Sequence, residues 1–262
     1  MEKIIAISKY GNQITINPDE SQRIIIQGIS GSGKSVFINV IVETYVATLR
    51  NNLLLWVCDP KVSGLSHLRP RCDNYINEPS GYIKILQELN TIIDQRYVQM
   101  QKIHKVKLCK DDFALFPMIL LVIDEYNTFI NNTDLSKTQL SELKKLINSI
   151  SVRCRACNVS LILCGQQFQT SDLDSVARGQ FTYKIILQSA SQQDVALLYP
   201  EPEICPAWLL NSPGTAYIIK DSTQPILSKT WYTNESEVAK IMEKYAIDKR
   251  KTEEVWVVNN PN

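Results

Sequence analysis

The chain has 262 residues, 44% of them hydrophobic, with 28 Lys and Arg against 27 Asp and Glu and a formal net charge of +1. That length and apolar content support a substantial core and exclude a disordered chain; the near-neutral balance excludes a protein that coats nucleic acid by bulk charge, so any grip on DNA must be local. No apolar run approaches the ~20 residues that span a bilayer, and Met1 to Ser8 lacks the order of an export signal, which predicts a cytoplasmic protein without a membrane anchor of its own.

Apolar alternation predicts strands near 3–7, 13–16 and 23–27. The third runs into Gly28-Ile29-Ser30-Gly31-Ser32-Gly33-Lys34-Ser35, where three of the nine glycines fall within six residues, followed by a helical pattern from Val36 to Leu49. Strand, glycine-rich turn and helix in that order make a phosphate-binding loop. Its glycines reach backbone angles closed to other residues and let successive N–H groups turn inward. The nucleotide-contacting set is Gly28, Ser30, Gly31, Ser32, Gly33, Lys34, Ser35 and Val36. Lys34 is expected to reach the β and γ phosphates and Ser35 to ligate Mg²⁺.

A strand at 53–58 leads into Asp59-Pro60-Lys61, and a long amphipathic helix follows, carried by Ile85, Leu89, Ile92, Ile93, Met100 and Ile103. Segment 105–115 is polar and read as a loop, with Lys105, Lys107 and Lys110 adding local positive charge. The next strand, 117–123, closes on Asp124-Glu125. Two carboxylates ending a buried strand downstream of a phosphate loop face the phosphates: Asp124 joins the Mg²⁺ shell, and Glu125 orients and polarises the attacking water. The Glu points to ATP hydrolysis, and no N-K-x-D guanine signature is present.

Segment 127–138 reads as a loop, and Leu140, Leu143, Leu146, Ile147 and Ile150 form a further helix. Cys154 and Cys157 make a C-x-x-C; with seven cysteines in an irregular set and only His67 and His104 as histidines, small buried side chains are favoured over metal or redox use. Strand 159–164 leads to Gly165-Gln166-Gln167, where Gln166 is a candidate to hydrogen-bond the γ-phosphate or the water. Residues 166–180 read as a loop whose Thr170, Ser171, Ser175 and Arg178 suit phosphate contacts without base reading. Strands near 182–187 and 215–219 complete a mostly parallel sheet with helices on both faces, a RecA-like P-loop NTPase of α/β class, whose ligands gather at the carboxyl ends of the strands. The motor domain is expected over 1–232 and a C-terminal helix and tail over 233–262, with Val238, Ile241, Met242 and Tyr245 on one stripe and Val255-Trp256-Val257-Val258 as a candidate docking segment.

These motifs together resemble the FtsK/SpoIIIE-type DNA-translocating ATPases, within the FtsK–HerA group, over roughly residues 22 to 220. The matching stretches are Gly33 to Asn39, Asp59-Pro60-Lys61 with Leu65-Ser66, Gln95-Arg96-Tyr97 with Met100 (similar to R-Y-x-x-M), Leu121 to Glu125, and Arg155-Ala156-Cys157-Asn158-Val159 (similar to R-A-x-G-I). The chain departs from the family's A-T-Q-R-P at Cys164-Gly165-Gln166-Gln167-Phe168, keeping the Gln alone. It looks like a stripped motor domain.

The resemblance implies a homo-oligomeric ring, usually a hexamer, with ATP between neighbours and double-stranded DNA, held without regard to sequence, in the central channel. A basic residue from the adjacent subunit would complete each site; Arg153, Arg155, Arg178 and Lys184 are candidates. The reading is an ATP-hydrolysing DNA translocase for transfer or replication of a mobile genetic element, with relaxase or secretion partners. The alternatives are a virion-associated genome-packaging ATPase with a capsid portal as partner, and an ATP-dependent switch or scaffold with little turnover.

Overall fold

The structure is a computed structural model that describes residues 2–62, 64–189, 191–199, 201–221 and 223–246. Its strands are β1 (Lys3–Ser8), β2 (Gln13–Ile16), β3 (Arg23–Gln27), β4 (Leu53–Cys58), β5 (Asn74–Ile76), β6 (Met118–Ile123), β7 (Val159–Gly165), β8 (Tyr183–Leu187), β9 (Thr215–Lys220) and β10 (Ile226–Thr230). They form one ten-stranded sheet in the order β2-β1-β10-β9-β8-β3-β7-β6-β4-β5. From β8 to β5 every pairing is parallel, and from β9 to β2 every pairing is antiparallel. The expected α/β fold with a mostly parallel sheet is therefore present.

The parallel strands are apolar throughout because both of their faces are covered. All six residues of β6 and all five of β3 are buried. Side chains alternate between two cores: Ile25, Leu121, Ile123, Leu161 and Leu163 enter one, and Ile24, Ile26, Leu120, Val122 and Ile162 enter the other. The first core is closed by α2 (Pro79–Lys102), α3 (Tyr126–Ile130), α4 (Lys137–Arg153), α5 (Ser175–Gly179) and α6 (Gln192–Ala196). The second is closed by α1 (Lys34–Leu49) and α7 (Glu235–Ala246). Helix α1 is apolar nearly all round, since it lies between the sheet and α7; Phe37, Ile38, Ile41, Val42, Tyr45 and Val46 are all buried.

Three departures from the sequence reading have local causes. Strands β5 and β10 were not expected: β5 is three residues long, and β10 is a half-exposed strand with weak alternation, so both depend on their neighbours for pairing. The loop read over 127–138 contains most of α3, and α4 begins at Lys137, capped by a reciprocal pair in which Ser136 accepts from the Gln139 N–H and Gln139 accepts from the Ser136 N–H. The loop read over 166–180 contains α5, capped by Asp174. The stripe of Val238 and Met242 packs into the same core as α1, so the expected boundary at 232/233 falls between two elements that share one hydrophobic layer. The candidate docking segment Val255 to Val258 lies outside the described residues.

Candidate active site

The phosphate loop leaves β3 at the carboxyl edge of the sheet, between β7 and β8. It is tied to both: the Gly28 N–H donates to Gly165 O at 3.2 Å and the Ile29 N–H to Gln188 O at 2.9 Å. A Cβ on Gly28 would stand 2.9 Å from Leu187 Cβ, and Gly31 and Gly33 take φ of 78° and 98°. The turn is thus closed to larger residues on steric and conformational grounds. Among the described residues, the N–H groups of Gly31, Gly33, Lys34 and Ser35 donate to no backbone carbonyl, which leaves a ring of donors at the start of α1. Lys34 is buried, and its ammonium donates to Gly28 O at 2.8 Å and Ile29 O at 3.0 Å, spanning its own loop.

Beside it, β6 delivers Asp124 and Glu125. Asp124 is 4% exposed, and burial raises its pKa, reinforced by the neighbouring Glu125 charge and opposed by hydrogen bonds from the Glu125 N–H and the Cys164 thiol. Glu125 adopts φ 46° and ψ 52°, a left-handed conformation that costs a non-glycine residue about 1–2 kcal/mol. The hydrogen bonds of Thr128 N and Phe129 N to Glu125 O, at 2.8 and 3.1 Å, hold it there. Its carboxylate pairs with Lys61 Nζ at 3.2 Å.

The loop carrying Lys61 is organised by Asp59, which is fully buried and accepts from the N–H groups of Val62 and Leu65 and from the Tyr75 hydroxyl. The loop brings Gly64 against the phosphate site: a Cβ there would lie 3.0 Å from Asp124 Oδ2 and 3.3 Å from Ser35 Oγ. These two oxygens therefore face one small space that only a glycine leaves open. A pair of hard oxygen donors sharing such a space fits Mg²⁺.

Gln166 is exposed at the end of β7, and its N–H donates to Asn127 Oδ1 at 3.0 Å. Lys34, Ser35, Asp124, Glu125 and Gln166, predicted from separate motifs, thus share one edge. The four candidates for a residue supplied to a neighbour do not. Arg178 donates to Phe168 O and Leu197 O, and Arg153 is paired with Asp94. Lys184 sits within β8, its pKa lowered by burial and by Arg178, while Arg155 is exposed at the opposite edge. A further motif residue is also engaged elsewhere: Arg96 is 3% exposed and donates to Cys157 O, Asn158 O and Pro117 O, and burial pulls its pKa down to about 10, so it stays charged. Cys154 and Cys157 are both buried, and burial pushes the Cys154 thiol up to about 12.

Sequence reasoning gave no role to Gly64, Cys164, Asn127, Gln167 or Asp194, all of which border this edge. Asn127 lies two residues past Glu125, a position that by itself gives an Asn no role.

No protein-family model matches the chain. The DNA translocase FtsK of Borreliella burgdorferi is 22% identical over 204 residues, covering 72% of this chain and 25% of the relative. That of Treponema pallidum is 21% identical over 248 residues, covering 88% and 30%. The fold is that of an FtsK/SpoIIIE-type motor domain. Solved structures share the fold: the pCW3 conjugation coupling protein TcpA, monomer form with ATPγS, superposes with a TM-score of 0.79 at 16% identity, covering 93% of this chain and 71% of that one. The cytoplasmic domain of the Thermomonospora curvata type VII secretion ATPase EccC gives 0.70 at 18% identity, covering 94% and 31%. The chain spans about a quarter to a third of the length of those two curated translocases.

Proposed function

We propose that the chain is an ATP-hydrolysing motor that moves DNA. The observation that carries the reading is the meeting of Ser35 Oγ and Asp124 Oδ2 at Gly64, with Lys34 and Glu125 the chain neighbours of those two residues. Lys34 and the free N–H groups of the loop bind and orient the phosphates. Ser35 and Asp124 would hold Mg²⁺, which offsets phosphate charge when bound. Glu125, presented on a strained turn at the rim, accepts a hydrogen bond from the attacking water and takes up its developing proton. Gln166 lies at the end of the adjacent strand, suited to contact the same water or the γ-phosphate.

DNA as the moved polymer is supported by the activity of the curated relatives, which are DNA translocases. Of the candidate backbone contacts, Thr170 and Ser171 follow β7, Ser175 and Arg178 lie on α5 before β8, and Lys105, Lys107 and Lys110 precede β6; Lys105 is held by Asp112. The finer reading is a homo-oligomeric ring serving DNA transfer or replication of a mobile element, with double-stranded DNA contacted through its phosphates. Neighbouring relaxase and secretion genes would support it, and coat and portal genes would replace it with genome packaging.

Phosphate release measured with and without DNA is the direct test. Turnover should rise with DNA and the stimulation should fall with added salt. Lys34→Ala should reduce turnover to background. A chain that hydrolyses ATP at one rate with every kind of DNA and with none sinks the motor reading. A chain that binds ATP and releases no phosphate leaves the switch or scaffold instead.

A further inference from the structure

The turn that carries Gln166 is not held by its own backbone. On the side of Glu125 it is held by one side chain from the neighbouring strand's exit. Asn127 lies on α3, two residues after Glu125, and its carboxamide engages the turn three times. Its Oδ1 accepts from the Gln166 N–H at 3.0 Å and the Gln167 N–H at 3.4 Å, and its Nδ2 donates to Gln167 O at 2.9 Å. The fit is close on the strand side as well. A Cβ on Gly165 would lie 2.9 Å from Asn127 Oδ1 and 3.2 Å from Phe168 Cζ, so a glycine is needed there for the amide to seat. Tyr126, next to Asn127, stacks on Phe168 with ring centroids 5.2 Å apart, which fixes the direction of α3 relative to the turn.

The far side of the turn is anchored separately. Gln167 Nε2 donates to Asp194 Oδ1 at 2.7 Å, and Gln27, the last residue before the phosphate loop, donates to Asp194 O at 2.6 Å. Asp194 is 7% exposed and also accepts from the Ser191 hydroxyl. Asn127, two residues along the chain from Glu125, is hydrogen-bonded to the Gln166 turn, and Asp194, through its carboxylate and its backbone carbonyl, links that turn to the foot of the phosphate loop. No hydrophobic contact replaces Asn127 in this chain of links, because its three partners are backbone groups with fixed directions.

We propose that Asn127 is a positioning residue for hydrolysis, fixing Gln166 relative to Glu125 so that both address one water. The inference rests on the ATPase reading above. Asn127 itself does not touch the reacting atoms. Its loss lets the 165–167 turn move against α3 while Lys34 and the loop donors that bind ATP stay in place, so the effect belongs to kcat and not to nucleotide affinity. A displacement of about 1 Å at such a site costs on the order of 10²-fold in rate.

The test uses the full chain with a fluorescent ATP analogue for binding, phosphate release for turnover, and amide hydrogen exchange. Asn127→Ala should lower kcat by about 10–100-fold with nucleotide affinity kept, and exchange at Gln166 and Gln167 should quicken. Asn127→Asp keeps the two acceptor bonds but sets a carboxylate against Gln167 O, so its kcat should fall between those of Asn127→Ala and the parent. Asn127→Ala combined with Gln166→Ala should be no slower than Gln166→Ala alone, since both remove the same group's action. Parental kcat in Asn127→Ala beside an inactive Glu125→Gln overturns the proposal and leaves the ATPase reading intact, as do fully additive losses in the double variant. Absence of turnover in the parent overturns the ATPase reading and this role with it.

Discussion

The two edges of the parallel sheet use polar and charged side chains for opposite ends. At the carboxyl edge, Lys34, Asp124, Glu125 and Gln166 converge on a small space, two of the glycines in the phosphate loop take positive φ, and Glu125 takes a left-handed conformation. At the amino edge, Arg96 is locked on three carbonyls that precede β6 and β7, and Asn158, at φ 53°, donates to Cys109 O and Phe116 O. Arg23 enters β3 with its guanidinium on Ser151 O and Gln180 Oε1. Arg96 and Arg23 direct their guanidinium groups at oxygens remote from the phosphate loop, whereas Lys34, held on the loop's own carbonyls, and the carboxylates of Asp124 and Glu125 stand where phosphates would bind. Membership in a shared motif does not distinguish the two: Arg96 and Glu125 both belong to family-like segments, and only one stands at the site.

The contrast can be broken by substitutions that should separate rate from stability. Glu125→Gln should lower kcat by about 10²–10⁴-fold while leaving ATP binding and the melting temperature near parental values; a variant with unreduced phosphate release would remove Glu125 from the reaction. Arg96→Met should do the reverse. It strands carbonyls of Pro117, Cys157 and Asn158 in a buried setting, which costs about 2–4 kcal/mol, or roughly 10 °C in Tm at about 2–4 °C per kcal/mol. Turnover per folded molecule should hold, and calorimetry beside the ATPase assay reads both.

Gly64→Ala comes next in size. The new methyl would enter the space shared by Ser35 Oγ and Asp124 Oδ2, so the Mg²⁺ concentration needed for half-maximal turnover should rise by about 10-fold or more. An unchanged Mg²⁺ titration would show that these two oxygens do not share an ion. Lys61→Met should be smallest: its side chain is 45% exposed, and such a pair with Glu125 is worth at most about 1 kcal/mol. Tm should stay within roughly a degree or two by that measure, and a larger fall would mean that the 59–64 loop depends on Lys61 as well as on Asp59.

The strands of the parallel half were legible because burial on both faces demands unbroken apolar runs, and β3, β4, β6 and β7 supply them. The phosphate loop and the acidic pair were legible because their chemistry needs particular residues in consecutive positions. Strands β5 and β10 were not, since three residues beside Trp56 to Cys58 and a polar segment beside β9 gain their extended form from pairing. Nor was Asn127: an amide two residues past an acidic pair looks like any surface Asn until β7 places Gly165 against it.

What the sequence determined by itself was local. Consecutive residues specify a phosphate loop, a buried acidic strand end and the helices that cover one sheet, because backbone conformation and hydrophobic period act over a few residues at a time. Tertiary structure decided which of the polar residues are free to act. Asp59 became the organiser of a loop, Arg96 and Arg178 became staples for backbone carbonyls, Gly64 became the gap between Ser35 and Asp124, and Asn127 became the link between Glu125 and Gln166. Those assignments depend on hydrogen-bond directions and distances between strands far apart in the chain, and such distances exist only once the sheet has fixed its order and register.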